Sequence, residues 1–350
     1  MKRSRRALVL LLAFAPFVVG GVAAVLWQQI HSFRTTPYGS AEEKTIEIPA
    51  GSSAHQVVRL LVKGGALSDE PTAWRYVRWL KHDPRPMRAG EYAFEGPLLP
   101  DDVLDRVYRG EVKTYQVTIP EGLRIADIAA LVEGAGLGQA AEIERLARDP
   151  AFVRSLGVEA PNLEGYLFPD TYTFTRNPSA RAVVTAMVER FRVAWKKADA
   201  QRAPGITLNE REAVTLASIV ERETGRPEER PRISCVFHNR LRRGIPLATD
   251  PTVMYATLLR TGQWSQNITK KDLQTPHPYN TYLVRGLPPG PIASPGAAAL
   301  EAALRPMACN DLFFVSRNDG THVFCPDLAC HEAAVRKWQV DYFRTRRAGH

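Results

Sequence analysis

The 350-residue chain has neither of the glycine patterns that cradle phosphates. A G-x-x-x-x-G-K-[ST] loop and a G-x-G-x-x-G turn are both absent, which argues against nucleotide and dinucleotide chemistry. There is no G-x-S-x-G elbow, and His238 and His277 have no recognisable partner, so a Ser/His/Asp hydrolase is poorly supported. Cysteine is scarce: Cys235, Cys309, Cys325 and Cys330 form no paired C-x-x-C framework. That weighs against a metal site even with His322 and His331 nearby, and no cofactor is expected. No Lys/Arg stripe interleaved with aromatics occurs, so nucleic acid is not an expected partner. The net charge of +9 is spread along the chain. A diffuse positive surface suits an anionic polymer, membrane headgroups, or simply a soluble basic protein.

What is present starts at the N-terminus. Met1-Lys-Arg-Ser-Arg-Arg6 precedes Ala7 to Trp27, a stretch of 21 residues without a charge. That is long enough to span a bilayer and longer than the usual core of a cleaved signal. The basic flank would stay in the cytoplasm and the rest of the chain would lie outside. A cleaved signal is the alternative, because Gly20, Gly21, Ala23 and Ala24 could offer a cleavage site. No second run of spanning length follows, so a single pass is expected. Outside the cytoplasm, a disulfide among Cys309, Cys325 and Cys330 is expected, whereas Cys235 sits in an apolar helical pattern and reads as a buried thiol.

Past a polar tether over 31–44, Ile46-Glu-Ile-Pro-Ala-Gly51 is matched 71 residues later by Val117-Thr-Ile-Pro-Glu-Gly122. Each copy leads into an apolar helix pattern and a glycine stop, which predicts two small α/β modules. A strand over 90–94 and a helix over 101–109 complete the first. Further helices are predicted over 139–156, 179–200, 209–224 and 228–243. Asp250-Pro251 predicts another helix start, with Asp250 as N-cap. The Pro/Gly-rich segment 279–296 reads as a long ordered surface loop. Leu312–Ser316 and Thr321–Phe324 flank Arg317-Asn-Asp-Gly320, a hairpin signal, and an amphipathic helix from Leu328 to Phe343 ends the chain.

The 209–224 helix organises the rest. Asn209 with Glu212 predicts its start, and Gly225 with Pro227 its stop. At 100° per residue, Leu216, Ile219, Val220 and Glu223 share one side, and Glu221 faces away with Thr215, Ser218 and Arg222. A carboxyl ending an apolar stripe loses hydration, its pKa rises, and it can serve as a general acid. A partly buried Glu paired with an Arg would give the same pattern. Glu164, Asp170 and Asp250 are the other notable carboxylates, with Tyr166, Phe168, Tyr172, Tyr279 and Tyr282 as aromatic neighbours. Carboxylates among exposed aromatics suit a sugar-chain cleft. Which carboxylates converge is open. Asp250 as a plain N-cap and Asp170 as a turn residue are the bland alternatives.

The motifs Glu164-Gly-Tyr-Leu-Phe-Pro-Asp170, Ala217-Ser-Ile-Val-Glu-Arg-Glu-Thr224, Thr249-Asp-Pro-Thr-Val-Met-Tyr255, Tyr279-Asn-Thr-Tyr282 and Gly286 to Gly296, in this order behind the basic leader, resemble the endolytic murein transglycosylases of the YceG-like family. The resemblance implies an α+β protein: a single N-terminal transmembrane helix, a small LysM-like α/β module, then a mixed α+β catalytic domain with a lysozyme-like helical active-site region. The corresponding segments are a cytoplasmic tail (1–6), an anchor (7–30), a linker (31–44), the LysM-like module (45–112) and the catalytic domain (113–350). It implies a bacterial inner-membrane enzyme facing the periplasm, with peptidoglycan glycan strands and the cell-wall synthesis machinery as partners. The reaction implied is cleavage of the MurNAc–GlcNAc β-1,4 bond to leave 1,6-anhydro-MurNAc ends. Glu223 takes the catalytic role, a choice the helix-face argument makes independently. Glu164, Asp170, Thr224, Asp250, Tyr279, Asn280 and Tyr282 are expected to bind or orient sugar. A peptidoglycan-binding scaffold without activity and a hydrolytic muramidase are the competing readings.

Overall fold

The structure is a computed structural model describing residues 2–81, 83–265, 267–342 and 344, with side chains described from Phe17 onward. The chain divides into two compact units, Met1–Tyr115 and Gln116–His350.

The first unit opens with helix α1 (Lys2–Thr35), followed by β1 (Lys44–Ile48), α2 (Ala54–Lys63), α3 (Glu70–Trp79), β2 (Gly90–Phe94) and α4 (Pro100–Arg109). β1 and β2 pair antiparallel, from Lys44 opposite Phe94 to Ile48 opposite Gly90. Alternation along Lys44-Thr-Ile-Glu-Ile48 puts Ile46 and Ile48 inward. They meet Val57, Val58 and Leu61 of α2 and Val103, Leu104 and Val107 of α4 in one core. α2 starts in a complete capping box between Ser53 and Gln56, and α4 stops at Gly110 in the left-handed region (φ 73°). α3 was not anticipated from the sequence. Its apolar residues Ala73, Tyr76 and Val77 are few but buried, and Asp69 caps its start.

The expected anchor falls on α1. Its side chains up to residue 16, and those of the tail before it, lie outside the described residues. Phe17, Val18, Val19, Val22, Val25 and Trp27 are exposed, whereas Ile30 and Phe33 join the core. Among the described residues no helix is long and apolar enough to cross a membrane.

β3 (Thr114–Thr118) runs across the boundary, and the second unit continues with α5 (Ile125–Gly134), α6 (Ala140–Ala147), α7 (Pro150–Ser155), β4 (Thr171–Thr175), α8 (Ala180–Asp199), α9 (Glu210–Glu223), α10 (Arg230–Arg242), α11 (Asp250–Thr261), α12 (Lys270–Gln274), α13 (Ala297–Leu304), β5 (Phe313–Ser316), β6 (His322–Cys325) and α14 (Leu328–Val335). β3 pairs with β4, and β5 with β6 in an antiparallel hairpin. The helix predicted over 139–156 is two helices, because Asp149 caps a new start at Pro150. The final helix continues past α14 as a wider π-type turn over Arg336–Asp341; Phe343 lies outside the described residues.

Two sequence expectations are corrected here. Cys235 is no free thiol: it is bonded to Cys309, and Cys325 is bonded to Cys330. α10 lies against the 309–312 segment, where Asn239 Nδ2 donates to the carbonyls of Cys309 (3.1 Å) and Asp311 (2.9 Å). Such a pairing across 74 residues has no local signature. The 279–296 segment is not a surface loop throughout either, since Pro291 to Gly296 are buried. Ser294 exchanges backbone hydrogen bonds with Gly122 and Leu123 (2.8 and 2.7 Å), which removes the cost of burying its polar backbone.

Candidate active site

α9 forms the centre of the second unit. Asn209 and Glu212 close a full capping box, each bond 2.9 Å. Every residue from Ala213 to Val220 is buried. A helix buried on all sides needs no polar face, and this overturns the one-face reading of its sequence. Ser218 accepts the Ile292 backbone N–H at 3.0 Å. Glu221, expected to face solvent, keeps only 5% of its side chain exposed. It accepts from Arg230 Nη2 at 2.6 Å and from the Gly296 N–H at 3.0 Å. The cause is α13, absent from the sequence reading, which packs on that face together with the segment leading into it. A Cβ at Gly296 would stand 1.7 Å from Glu121 Oε1, so a larger residue there would displace the Glu121 side chain.

Glu223 ends the helix, half-buried. The Thr249 hydroxyl donates to its Oε1, and among the described residues its Oε2 has no hydrogen-bond partner. Burial pushes its pKa up from 4.5 to about 7, helped by the negative charge of Asp250 and opposed by the Thr249 bond and the Arg240 guanidinium. Thr249 is itself held in place. Its N–H donates to Thr281 Oγ1 at 3.2 Å, and its carbonyl accepts from Thr252 Oγ1 at 2.7 Å. The residue before it, Ala248, sits at φ 46°, a left-handed backbone that a side chain disfavours. Arg240 secures the same turn by donating to the Leu247 carbonyl (2.7 Å) and the Leu312 carbonyl (2.6 Å). Asp250 accepts from the hydroxyl of exposed Tyr282 at 2.6 Å.

The helix start at Asp250 is shifted by one residue from expectation. Thr249 is the N-cap position, Asp250 is the first helical residue, and the Thr249 side chain makes no cap bond. Its hydroxyl is turned to Glu223 instead, and Asp250 is left free to meet Tyr282.

Of the expected sugar-contacting residues, only Asp250 and Tyr282 join Glu223 in this cluster. Glu164 is buried and accepts the N–H of Ile125, first residue of α5, at 3.0 Å and the Tyr255 hydroxyl at 3.2 Å. Burial pushes its pKa to about 7 as well, but both oxygens are taken by structural donors. Asp170 pairs with Arg190 of α8, and its Oδ1 accepts from the Thr171 N–H at 2.8 Å. Asn280 is buried; its Nδ2 donates to three carbonyls at the end of α12, while its Oδ1 accepts from the Tyr282 N–H at 3.1 Å. Thr224 Oγ1 accepts the Arg226 N–H at 3.0 Å. Tyr279 is half-buried, its ring 5.0 Å from that of Tyr255. Tyr166, Phe168 and Tyr172 are buried core rather than exposed cleft aromatics. Gly165, between Glu164 and Tyr166, sits at φ 84° with Pro291 where a Cβ would be.

The YceG-like family model matches residues 46–337. The chain belongs to the YceG-like family. It is 30% identical over 311 residues to an endolytic murein transglycosylase of Bacillus subtilis, covering 84% of each chain. It is 28% identical over 304 residues to an endolytic murein transglycosylase of Streptococcus pneumoniae, covering 78% of this chain and 54% of that protein. Its fold resembles the crystal structure of a putative yceG-like protein from Listeria monocytogenes, with TM-score 0.57, 31% identity, and coverage of 84% of this chain and 99% of that one.

In this YceG-like chain the sequence reading missed Thr249, Arg240 and Thr281. Thr249 had one usable signal, a hydroxyl residue directly before a helix-starting Asp-Pro. Arg240 had none, since it joins the turn at Leu247 to Leu312, which is distant in the chain. Among the described residues, no group of three His, Cys, Asp or Glu side chains is arranged to hold a metal ion.

Proposed function

We propose that this protein is an endolytic lytic transglycosylase of peptidoglycan. The observation that carries the proposal is Glu223: a carboxyl neutral up to about pH 7, held by one hydroxyl, with its other oxygen available. Burial also raises Glu164, Glu221 and Glu210; Glu164 and Glu221 have both oxygens engaged, and Glu210 lies in the first turn of α9, at the opposite end from Glu223. The names of the Bacillus and Streptococcus relatives support the same reading.

In the mechanism proposed, protonated Glu223 donates its proton to the glycosidic oxygen between MurNAc C1 and GlcNAc O4 as that bond breaks. The resulting carboxylate takes the proton of the MurNAc C6 hydroxyl while O6 bonds to C1. The product is a 1,6-anhydro-MurNAc end, no water is consumed, and Glu223 regains its proton. General acid–base catalysis of this kind contributes about 10²–10⁴-fold. Thr249 orients the carboxyl and Tyr282 holds Asp250 beside it. Cutting within nascent strands would limit their length, and the synthesis machinery would be the neighbour. An N-terminal membrane anchor over 7–30, with the catalytic unit on the periplasmic side, fits that substrate.

Asp250 favours one second reading. A carboxylate beside the acid could serve a water-consuming muramidase. Digestion of purified peptidoglycan followed by mass spectrometry separates the two. Anhydro ends, lighter by one water, support transglycosylation. Reducing ends would establish hydrolysis, and intact strands would leave a binding scaffold.

A further inference from the structure

The last turn of α9 sends adjacent side chains to different partners. Glu223 meets Thr249, just before α11, while exposed Arg222 reaches Trp264, three residues past the end of α11. The Arg222 guanidinium lies 5.7 Å from the Trp264 ring centre, and its Nη1 donates to the Gly122 carbonyl at 3.2 Å. Arg124 covers the same indole at 4.4 Å, but its charge is taken: Nε and Nη2 grip Asp127 at 2.7 and 2.6 Å. Asp127 also feels the field of Arg222. Among the described residues, however, no carboxylate lies within ion-pairing distance of Arg222. Glu121 and Glu221 both bond to Arg230 instead.

Arg222 is therefore held by a ring and a carbonyl rather than by an acid, with hydrogen-bond donors left over in solvent. A guanidinium fixed in this way is pre-organised for the two parallel bonds of a carboxylate. It is the chain neighbour of the proposed catalytic residue, on a different face of the last turn of α9. α11 extends about 18 Å from the Glu223 cluster to the Trp264 end, enough for sugar residues and their substituents. N-acetylated glycan is itself neutral. Its negative charges are carboxylates, on the stem peptide or on the bare lactyl group where the peptide has been removed.

We propose that Arg222, positioned by Trp264 and Gly122, is a specificity-determining residue that binds a carboxylate carried by the strand being cut. This rests on the transglycosylase reading of Glu223. The test is steady-state cleavage by the full chain on three substrates: peptide-substituted strands, amidase-stripped strands with free lactyl carboxylates, and peptide-substituted strands with their carboxylates amidated. The wild type is expected to show a KM about tenfold lower on carboxylate-bearing than on amidated strands, the size of one charge-assisted hydrogen bond. Arg222→Gln should raise KM on the carboxylate-bearing strands by that factor at unchanged kcat. On amidated strands it should match the wild type, and Arg222→Lys should recover part of the loss. Loss confined to peptide-substituted strands assigns the stem peptide, loss confined to stripped strands assigns the lactyl group, and loss on both assigns either carboxylate. An equal loss on all three substrates, as a merely structural arginine would produce, overturns the proposal, as does a wild type blind to amidation. A wild type that cleaves nothing would sink the transglycosylase reading itself, a different outcome.

Discussion

Glu223→Gln should have two consequences of opposite sign. The substitution keeps the size and the acceptor for Thr249 but removes the proton. Glu223 is the sole acid and base of the proposed reaction, so the expected loss of kcat is at the upper end of the 10²–10⁴ range. Stability should move the other way. The folded carboxyl has a pKa of about 7 against 4.5 for the ordinary group. Between those values the folded protein holds a proton that the unfolded chain has released. Wild-type stability therefore falls as pH rises through this window, and above pH 7 the full cost applies. At about 1.4 kcal/mol per factor of ten, that cost is roughly 3 kcal/mol, reduced to about 2 because Glu223 is only half-buried. Gln carries no such cost. For a unit of this size, thermal melts should show the variant about 4–8 °C more stable than the wild type at pH 8, and indistinguishable from it at pH 4. Glu164 and Glu221 titrate in both proteins and cancel in the difference. A gain of equal size at both pH values would refute the burial argument, and an active variant would refute the catalytic one.

Asp250→Asn removes a negative charge that raises the Glu223 pKa, so the alkaline fall of kcat/KM should move to lower pH; a fall that stays in place would exclude electrostatic contact. Glu164→Ala strands the Ile125 N–H and the Tyr255 hydroxyl and should cost about 1–3 kcal/mol in urea unfolding. Glu164→Gln, which can satisfy both, should stay folded and cleave within a few-fold of wild type; a folded but inactive protein would put Glu164 in the chemistry. Cys235→Ser opens the bond that spans 74 residues and should lower stability by about 2–4 kcal/mol. Cys325→Ser opens a span of only five residues and should cost less, with unfolding midpoints as the check.

What sequence alone determined was whatever depends on neighbours along the chain. Asn209–Glu212 announces the start of α9 because caps are local hydrogen bonds; Ser53–Gln56 and Ser179 carry the same local signal, which the sequence reading left unused. The turn at Arg317–Gly320 announces the hairpin for the same reason. The partial burial of Glu223 was legible too, from its place three residues after Val220. Tertiary structure decided what depends on packing between distant segments. α13 is an alanine-rich stretch with no polar face to mark it, and its arrival buried the side of α9 where Glu221 was expected to meet water. The cap position of α11 was misassigned by one residue because the Thr249 hydroxyl is drawn to a carboxyl 26 residues away. Glu164 and Asp170 have the residue types of a sugar cleft, yet one satisfies a helix N-terminus and the other an arginine. A carboxylate becomes an acid, a cap or an ion-pair partner according to which donors the fold brings within 3 Å, and that selection is made in three dimensions.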